Sequence, residues 1–545
     1  MPEIKIVNIP QPFDDQKPGT SGLRKSTKHF LQPHYLESFI QSILLSLENV
    51  EGSTLVLGGD GRFGNKQAIQ KIIQICIAHK VGKIIVPQDG LLSTPAASNL
   101  IRTNSALAGI ILSASHNPGG IDGDFGVKVN ISNGGPAPEK LTNKIYSHTI
   151  SLTSYKYCEV NIPELNSLGL FLFDETKLEI IDGLTDYITL MENLFDFDQI
   201  SDFLRSDFSI IFDAMNAITG PYARKIFIEK LGLEEKSVMN GIPLTDFGML
   251  HPDPNLTYAK ELADLLLNKK IYSFGAACDG DGDRNMILGK DCFINPSDSL
   301  AVITANTACV PGYKDGICGV ARSMPTSMAV DYVAKDMKIP CFETPTGWKF
   351  FGNLLDSDMI TICGEESFGT GSNHVREKDG LWAVLYWLQI LSSKQCSVSD
   401  LINQHWRKYG RSYYSRHDYE AIPKEIANEI FQNCKQFLPK LKGNKFAGSN
   451  VIEADNFSYT DPVDNLTTTN QGLRIVLENQ SRIILRLSGT GTKGSTLRLY
   501  FEKYASSNAD LGLNSQFALK DLITDINHLL SIAKLTKMDK PTVIT

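Results

Sequence analysis

At 545 residues the chain is too long for one hydrophobic core, since single cores stop growing near roughly 250–300 residues. At about 150 residues per domain, three or four domains are expected. A composition of 42% hydrophobic and 21% charged residues excludes a disordered or fibrous chain, and a net charge of −8 with no long basic run argues against nucleic acid as a partner.

From Met1 the chain turns polar by Asp14 without an apolar signal core, and no run of about 18 apolar residues follows that would span a membrane. Ten cysteines (76, 158, 278, 292, 309, 318, 341, 363, 396 and 434) stand singly with no Cys-x-x-Cys pair. Free thiols in a reducing cytoplasm are therefore expected. Asn130-Ile-Ser132 and Asn255-Leu-Thr257 match the glycosylation pattern, which we read as chance.

Short apolar runs alternate with longer amphipathic ones, the pattern of α/β domains with largely parallel sheets. Leu36–Leu47 and Lys66–Ala78 carry helical spacing. Thr54–Leu57, Lys83–Val86 and Gly109–Leu112 read as strands, with later ones at Phe208–Phe212, Tyr272–Ala277, Met359–Cys363 and Arg482–Leu487. Breaks in this rhythm place the domains at 1–187, 188–297, 298–405 and 406–545. Lys440–Ser449 reads as exposed loop.

Five of these strands empty into polar, glycine-rich loops: residues 58–63, 113–120, 278–284, 364–369 and 488–494. Ligands of open α/β sheets sit at the carboxyl ends of strands, so these loops are candidate walls of one cleft. Asp279-Gly-Asp281-Gly-Asp283 can turn three carboxylates onto a hard divalent cation. It is not an EF-hand, because the sixth and twelfth positions are Arg284 and Lys290 instead of Gly and Glu. Ser115 lacks the hydrolase elbow pattern; it either caps a helix starting after Pro118 or carries a phosphoryl group beside the metal. Ser488-Gly-Thr-Gly-Thr492, between Arg486 and Arg498, has the composition of a phosphate cradle. Its GxGxxG match precedes a strand-like run and so is not a dinucleotide fingerprint. Glu365 and Ser367 offer acceptors for sugar hydroxyls, and Lys378 a cation or proton, although Arg376–Gly380 alone reads as a solvated charged turn.

Taken in order, these loops resemble the α-D-phosphohexomutase superfamily, and within it the phosphoglucomutases. The likeness also includes Lys17-Pro-Gly-Thr-Ser-Gly-Leu-Arg-Lys25, Asp124-Phe-Gly-Val-Lys128, His251-Pro-Asp-Pro-Asn255, Ala321–Ser327 and Thr344-Pro-Thr-Gly-Trp-Lys349, so it spans nearly the whole chain. It implies three related α/β domains with mixed, largely parallel sheets and a smaller α+β C-terminal domain around a central cleft. It implies that Ser115 is a phosphoserine binding Mg²⁺ together with Asp279, Asp281 and Asp283. His116, Lys128, Arg24 and Lys378 match positions at the reacting centre. Thr20, Ser21, Asn117, Arg284, Thr346, Gly347, Trp348, Glu365 and Ser367 would meet substrate, with Arg24 and Lys378. Arg486, Ser488, Gly489, Thr490, Thr492 and Arg498 would grip the phosphate that is not reacting. The implied substrate is a phosphosugar, glucose 1-phosphate, with glucose 1,6-bisphosphate as intermediate. Asn373, Ile121-Asp122 and Leu250 depart from the family's usual residues but remove neither nucleophile nor metal ligand. A mutase preferring mannose, a silent relative and a metal-dependent phosphatase are the alternatives to test.

Overall fold

The computed structural model describes residues 3–19, 21–488 and 494–545. The apolar runs Thr54–Gly59, Lys83–Pro87 and Ala108–Leu112 form neighbouring parallel strands. Parallel strands need crossover connections, and the helices Asn65–Ala78 and Thr94–Thr103 provide them. Ser93 caps the second helix by accepting from the Ala96 N–H, with Pro95 in the first turn. After Ala108–Leu112 the chain returns antiparallel as Asp124–Ile131.

The same arrangement recurs twice. Ile210–Asp213 lies parallel to Val238–Met239 and Phe274–Cys278, and Asn285–Gly289 returns antiparallel. Val320–Ser323 lies parallel to Cys341–Thr344 and Ile362–Glu365, and Gly369–Ser372 returns antiparallel. In all three sheets the order is second strand, first, third, return. The turn into the return strand therefore falls at one topological position, and it carries Ser115, the three aspartates, or Ser367.

Among the described residues the last sheet has seven antiparallel strands. Ile483 and Leu485 face the helices Lys424–Leu441 and Lys520–Leu530, while Ile484 between them packs with Tyr500 and Tyr414 against Met324, as alternation along a strand requires. The expected loop at Lys440–Ser449 is shorter than foreseen, since the helix runs to Leu441 and Lys445–Phe446 pairs with Ser449–Asn456.

One apolar core runs through the first three sheets, around the helix Gly380–Lys394. That helix is buried on nearly every side, so its apolar residues show no single preferred face. Cys278 and Cys363 are buried in their strands, and all ten cysteines are free thiols. Asn130 and Asn255 are buried as well, which excludes the glycosylation pattern at both. Among the described residues no helix is long and apolar enough to cross a membrane.

The C-terminal sheet is bolted to the third by buried charge. Arg482 pairs with Glu502 at 2.6 Å and donates to the Thr326 carbonyl at 2.8 Å. Glu502 accepts from the Met328 N–H at 2.7 Å. Arg482 also reaches Glu343, which Arg322 and Arg474 share. Arg482→Met leaves Glu502 buried without its cation, a loss of about 3–5 kcal/mol. Urea unfolding should show the C-terminal domain releasing at lower denaturant; an unchanged midpoint would contradict this account.

Candidate active site

Ser115 sits at the tip of the turn after Ala108–Leu112 in the left-handed region, with φ of 54°. Three contacts hold it there. Its N–H donates to Ser113 Oγ at 2.7 Å, its carbonyl accepts from Arg62 Nη2 at 2.9 Å, and its Oγ donates to Asp279 Oδ2 at 2.8 Å. No helix starts after Pro118, where the chain turns directly into Asp124–Ile131, so the capping role for Ser115 falls away. Gly280 packs against the same serine: a Cβ there would lie 2.4 Å from the Ser115 carbonyl oxygen.

Arg62, to which the sequence assigned no role, is the brace of this turn. It is buried, paired with Asp60 at 2.8 Å, and donates to the Asp124 carbonyl at 2.7 Å as well as to Ser115. Its signal was its place in the 58–63 loop at the carboxyl end of a strand. Asn117 is engaged locally, donating to Asp124 Oδ2 at 2.8 Å.

Asp279, Asp281 and Asp283 are all buried and bring one carboxylate oxygen each within 4.8 Å of the others. Burial, then repulsion from Asp283 and Asp281, pushes Asp279 well above the usual carboxylate range. Burial acts on Asp281 too, but Lys128, with hydrogen bonds from Lys128 and Thr94, carries it below that range. Burial alone would lower Lys128, yet Asp281 and Asp283 hold it above its ordinary value. Lys128 contacts Asp281 and lies 3.6 Å from Asp283, whose Oδ2 also receives Lys378 at 3.0 Å. Thr94 donates to Asp281 at 2.5 Å, a role without any signal in the sequence. Among the described residues Asp281 Oδ1 and Asp283 Oδ1 are buried with no hydrogen-bond partner. Three buried carboxylates at this spacing, two of them with an oxygen not hydrogen-bonded, fit a hard divalent cation.

Arg284 closes the loop, and its Nη1 donates to His116 Nδ1 at 2.7 Å. A guanidinium only donates, so that nitrogen carries no proton and the imidazole is neutral. Burial, then Arg284, Arg24 and Arg498, depresses His116 well below its ordinary value in agreement. Arg24, opposite Gly126, has a buried Nε without a hydrogen-bond partner among the described residues, and burial followed by Arg284 lowers its pKa.

On the third domain, Gly347 N–H donates to Glu365 Oε1 at 2.9 Å, fastening the two expected sugar loops together. Among the described residues Thr346 Oγ1 and Trp348 Nε1 are buried without hydrogen-bond partners, and Ser367, two residues after Glu365, is half-buried. Burial raises Glu365, against Lys378. Arg376–Gly380 is not a solvated turn as its composition suggested: Arg376, Glu377, Lys378 and Asp379 are all buried between domains. Glu377, a further residue not foreseen, accepts from Asn130 Nδ2 at 2.9 Å.

Arg486 and Arg498 stand side by side on adjacent strands of the C-terminal sheet; Arg486 donates to Tyr500 at 3.4 Å and Arg498 lies 3.5 Å from Asp418. Ser488 ends that strand, half-buried. Behind them Arg416, also unforeseen, ties the C-terminal domain to Glu366 at 2.9 Å, one residue from Glu365. Thr20, Gly489, Thr490 and Thr492 lie outside the described residues, and Ser21 is exposed. The structure thus gathers Ser115, His116, Arg24, Lys128, Arg284, Lys378 and the aspartates, and brings the arginine pair from another domain, with Arg498 near enough to act on His116.

Comparison with known proteins agrees along the whole chain. Residues 15–156, 185–291 and 296–409 match the models for alpha/beta/alpha domains I, II and III of phosphoglucomutase/phosphomannomutase, and 411–542 match the phosphoglucomutase-1 C-terminal domain. A phosphoglucomutase of Rhizobium radiobacter is 54% identical over 534 residues, 98% of either chain. Phosphoglucomutase-1 of Dictyostelium discoideum is 49% identical over 99% of both. The crystal structure of the Paramecium phosphoprotein pp63/parafusin, a phosphoglucomutase in an open form, superposes with a TM-score of 0.92 at 44% identity, covering 100% of this chain and 99% of that one. With its repeated sheets, acid-lined serine turn and full-length relatives, the chain belongs to the phosphoglucomutase family of the α-D-phosphohexomutases, isomerases that act on phosphosugars.

Proposed function

We propose that the chain interconverts α-D-glucose 1-phosphate and glucose 6-phosphate through phospho-Ser115. The observation that carries this reading is the Ser115 hydroxyl held 2.8 Å from Asp279 within a buried three-carboxylate loop. The phosphoryl group leaves the Ser115 oxygen, which takes up a proton, and bonds to O6 of glucose 1-phosphate, which gives one up. The resulting glucose 1,6-bisphosphate turns over in the cleft and returns its 1-phosphate to Ser115, leaving glucose 6-phosphate.

Ser115 and Asp279, Asp281 and Asp283 would hold Mg²⁺, which offsets charge on the transferring group. Arg24 and Arg284, with Lys128 and Lys378 near the carboxylates, place fixed positive charge around the same group. Neutral His116, its Nδ1 taken up by Arg284, presents Nε2–H on its other face and can only donate there. Thr346, Trp348 and Glu365 have unspent or half-spent polar atoms suited to sugar hydroxyls. Arg486 and Arg498 read phosphate by charge and fork geometry, which serves either orientation of the bisphosphate. The C-terminal domain closing over the cleft would keep water from the phosphoserine. Ten free thiols support a reducing compartment such as the cytoplasm.

In a glucose 1-phosphate assay with Mg²⁺ and trace bisphosphate, Ser115→Ala should lose at least about 10³-fold in kcat; activity equal to wild type would refute the assignment. Chelation should abolish turnover and Mg²⁺ restore it, whereas undiminished rates in chelator would remove the metal from the site. Mannose 1-phosphate should be the poorer substrate in the same assay. For the dephosphorylated enzyme, NMR of the His116 ring should show no titration from about pH 5 to 8, because burial and three nearby arginines keep it neutral. A midpoint at the ordinary value would contradict that geometry.

A further inference from the structure

The segment Ser372–Asp379 links the return strand Gly369–Ser372 to the helix Gly380–Lys394 and carries Lys378 into the site. Its outer side is pinned to the first domain: Arg102 donates to the His374 carbonyl at 2.9 Å and the Arg376 N–H donates to Ser98 Oγ at 2.9 Å. The Lys378 stem lies so close to Gly369 that a Cβ there would meet its Cδ at 2.3 Å.

Beneath the segment lies a buried polar chain that the reaction does not use. His374 Nδ1 hydrogen-bonds to Ser372 Oγ at 2.6 Å, and Nε2 to Asp379 Oδ2 at 3.0 Å. The ring stacks on Trp382, with centroids 5.2 Å apart and 15° between planes. Tyr187 donates to the other Asp379 oxygen at 2.6 Å, Tyr313 shares Ser372 Oγ at 2.5 Å, and Trp382 Nε1 donates to Tyr313 at 2.9 Å.

Serine, histidine and aspartate in this order are the parts of a hydrolase triad. Here Ser372 is fully buried and already shared with Tyr313, so no substrate carbonyl can reach it. The directions of the hydrogen bonds say what the chain does instead. Asp379 only accepts, so a neutral His374 donates Nε2–H to it and accepts at Nδ1 from Ser372; with its single proton spent there, Ser372 accepts from Tyr313, which in turn accepts from Trp382. Every proton has an acceptor when the imidazole is neutral, and the chain closes on a carboxylate that also accepts from the Trp382 N–H to cap the helix. His374 thus ties residue 372 to residue 379, the two ends of the segment. Lys378 is the residue immediately before the second tie.

We propose that His374 is a positioning residue for the phosphoryl-transfer site: by clamping both ends of this segment it sets the Lys378 ammonium against Asp283. The inference rests on Lys378 serving the site as proposed above. Fully satisfied buried networks are rigid, and misplacing a reacting group by about 1 Å costs on the order of 100-fold.

The test is a double-mutant cycle on kcat/KM for glucose 1-phosphate, with thermal unfolding of each variant alongside. His374→Ala should lose about 10- to 100-fold, with substrate KM changing less than kcat. His374→Gln, whose amide can accept from Ser372 and donate to Asp379, should recover most of that loss. In a Lys378→Met background, His374→Ala should cost no more than about twofold further, because coupled residues are non-additive. If His374→Ala does not fold, Ser372→Ala keeps the imidazole but removes its Nδ1 partner, and the Tyr313 acceptor with it, and enters the same cycle. Losses that multiply independently, or wild-type kcat/KM for both His374→Ala and Ser372→Ala, would overturn the positioning role alone. Wild-type kcat/KM for Lys378→Met would overturn the role of Lys378 and this inference with it.

Discussion

Three carboxylates within 4.8 Å of one another and out of contact with water are the constraint on which the rest of this architecture depends. Unpaired, their mutual repulsion and lost hydration would cost several kcal/mol per ion. The charges that answer them do not come from their own domain alone. Lys128 arrives on the return strand of the first domain and Lys378 on the segment leaving the third, while Arg284 follows in the loop itself. The second domain's acidic loop is therefore electrostatically complete only when its two neighbours are docked. The central helix Gly380–Lys394 fixes that docking with apolar burial, starting two residues after Lys378.

The repeated strand order explains why the working loops are stiff enough for such close charge matching. Each turn is held at both ends by one sheet, entering from a parallel strand and leaving along its antiparallel neighbour. Side chains on a short turn with both stems hydrogen-bonded have little freedom to lose, and that is the condition for a preorganised polar site. The C-terminal domain follows a different plan. It is wholly antiparallel, and it meets the others through Arg482, Arg416 and an aromatic seam.

What the sequence made legible was local. Strand runs such as Thr54–Leu57 and Gly109–Leu112 stand out because buried parallel strands are continuously apolar, and the loops after them stand out because glycine and carboxylate repeat at fixed spacing. Ser115, the aspartates and Lys128 were read from such loops or from the ordered family likeness, and the structure gathers them. Composition failed where long-range partners decide. Arg376–Asp379 carries four charged residues in succession, which alone means solvent; only Asp356, Ser98, Asn130 and Asp283, distant in sequence, make its burial possible. Arg62, Thr94, Glu366 and Arg416 were missed for the same reason, since their partners lie in other strands or other domains.

The conformation of Ser115 also narrows what the chain can become. Serine and threonine have the same nucleophilic oxygen, and many phosphate-carrying sites tolerate either. At φ of 54° a branched Cβ crowds its own backbone, and the Arg62 and Gly280 contacts leave the turn no room to relax. The hydroxyl proposed to receive phosphate is thereby tied to serine by backbone shape, and a threonine that is chemically equivalent would strain this turn.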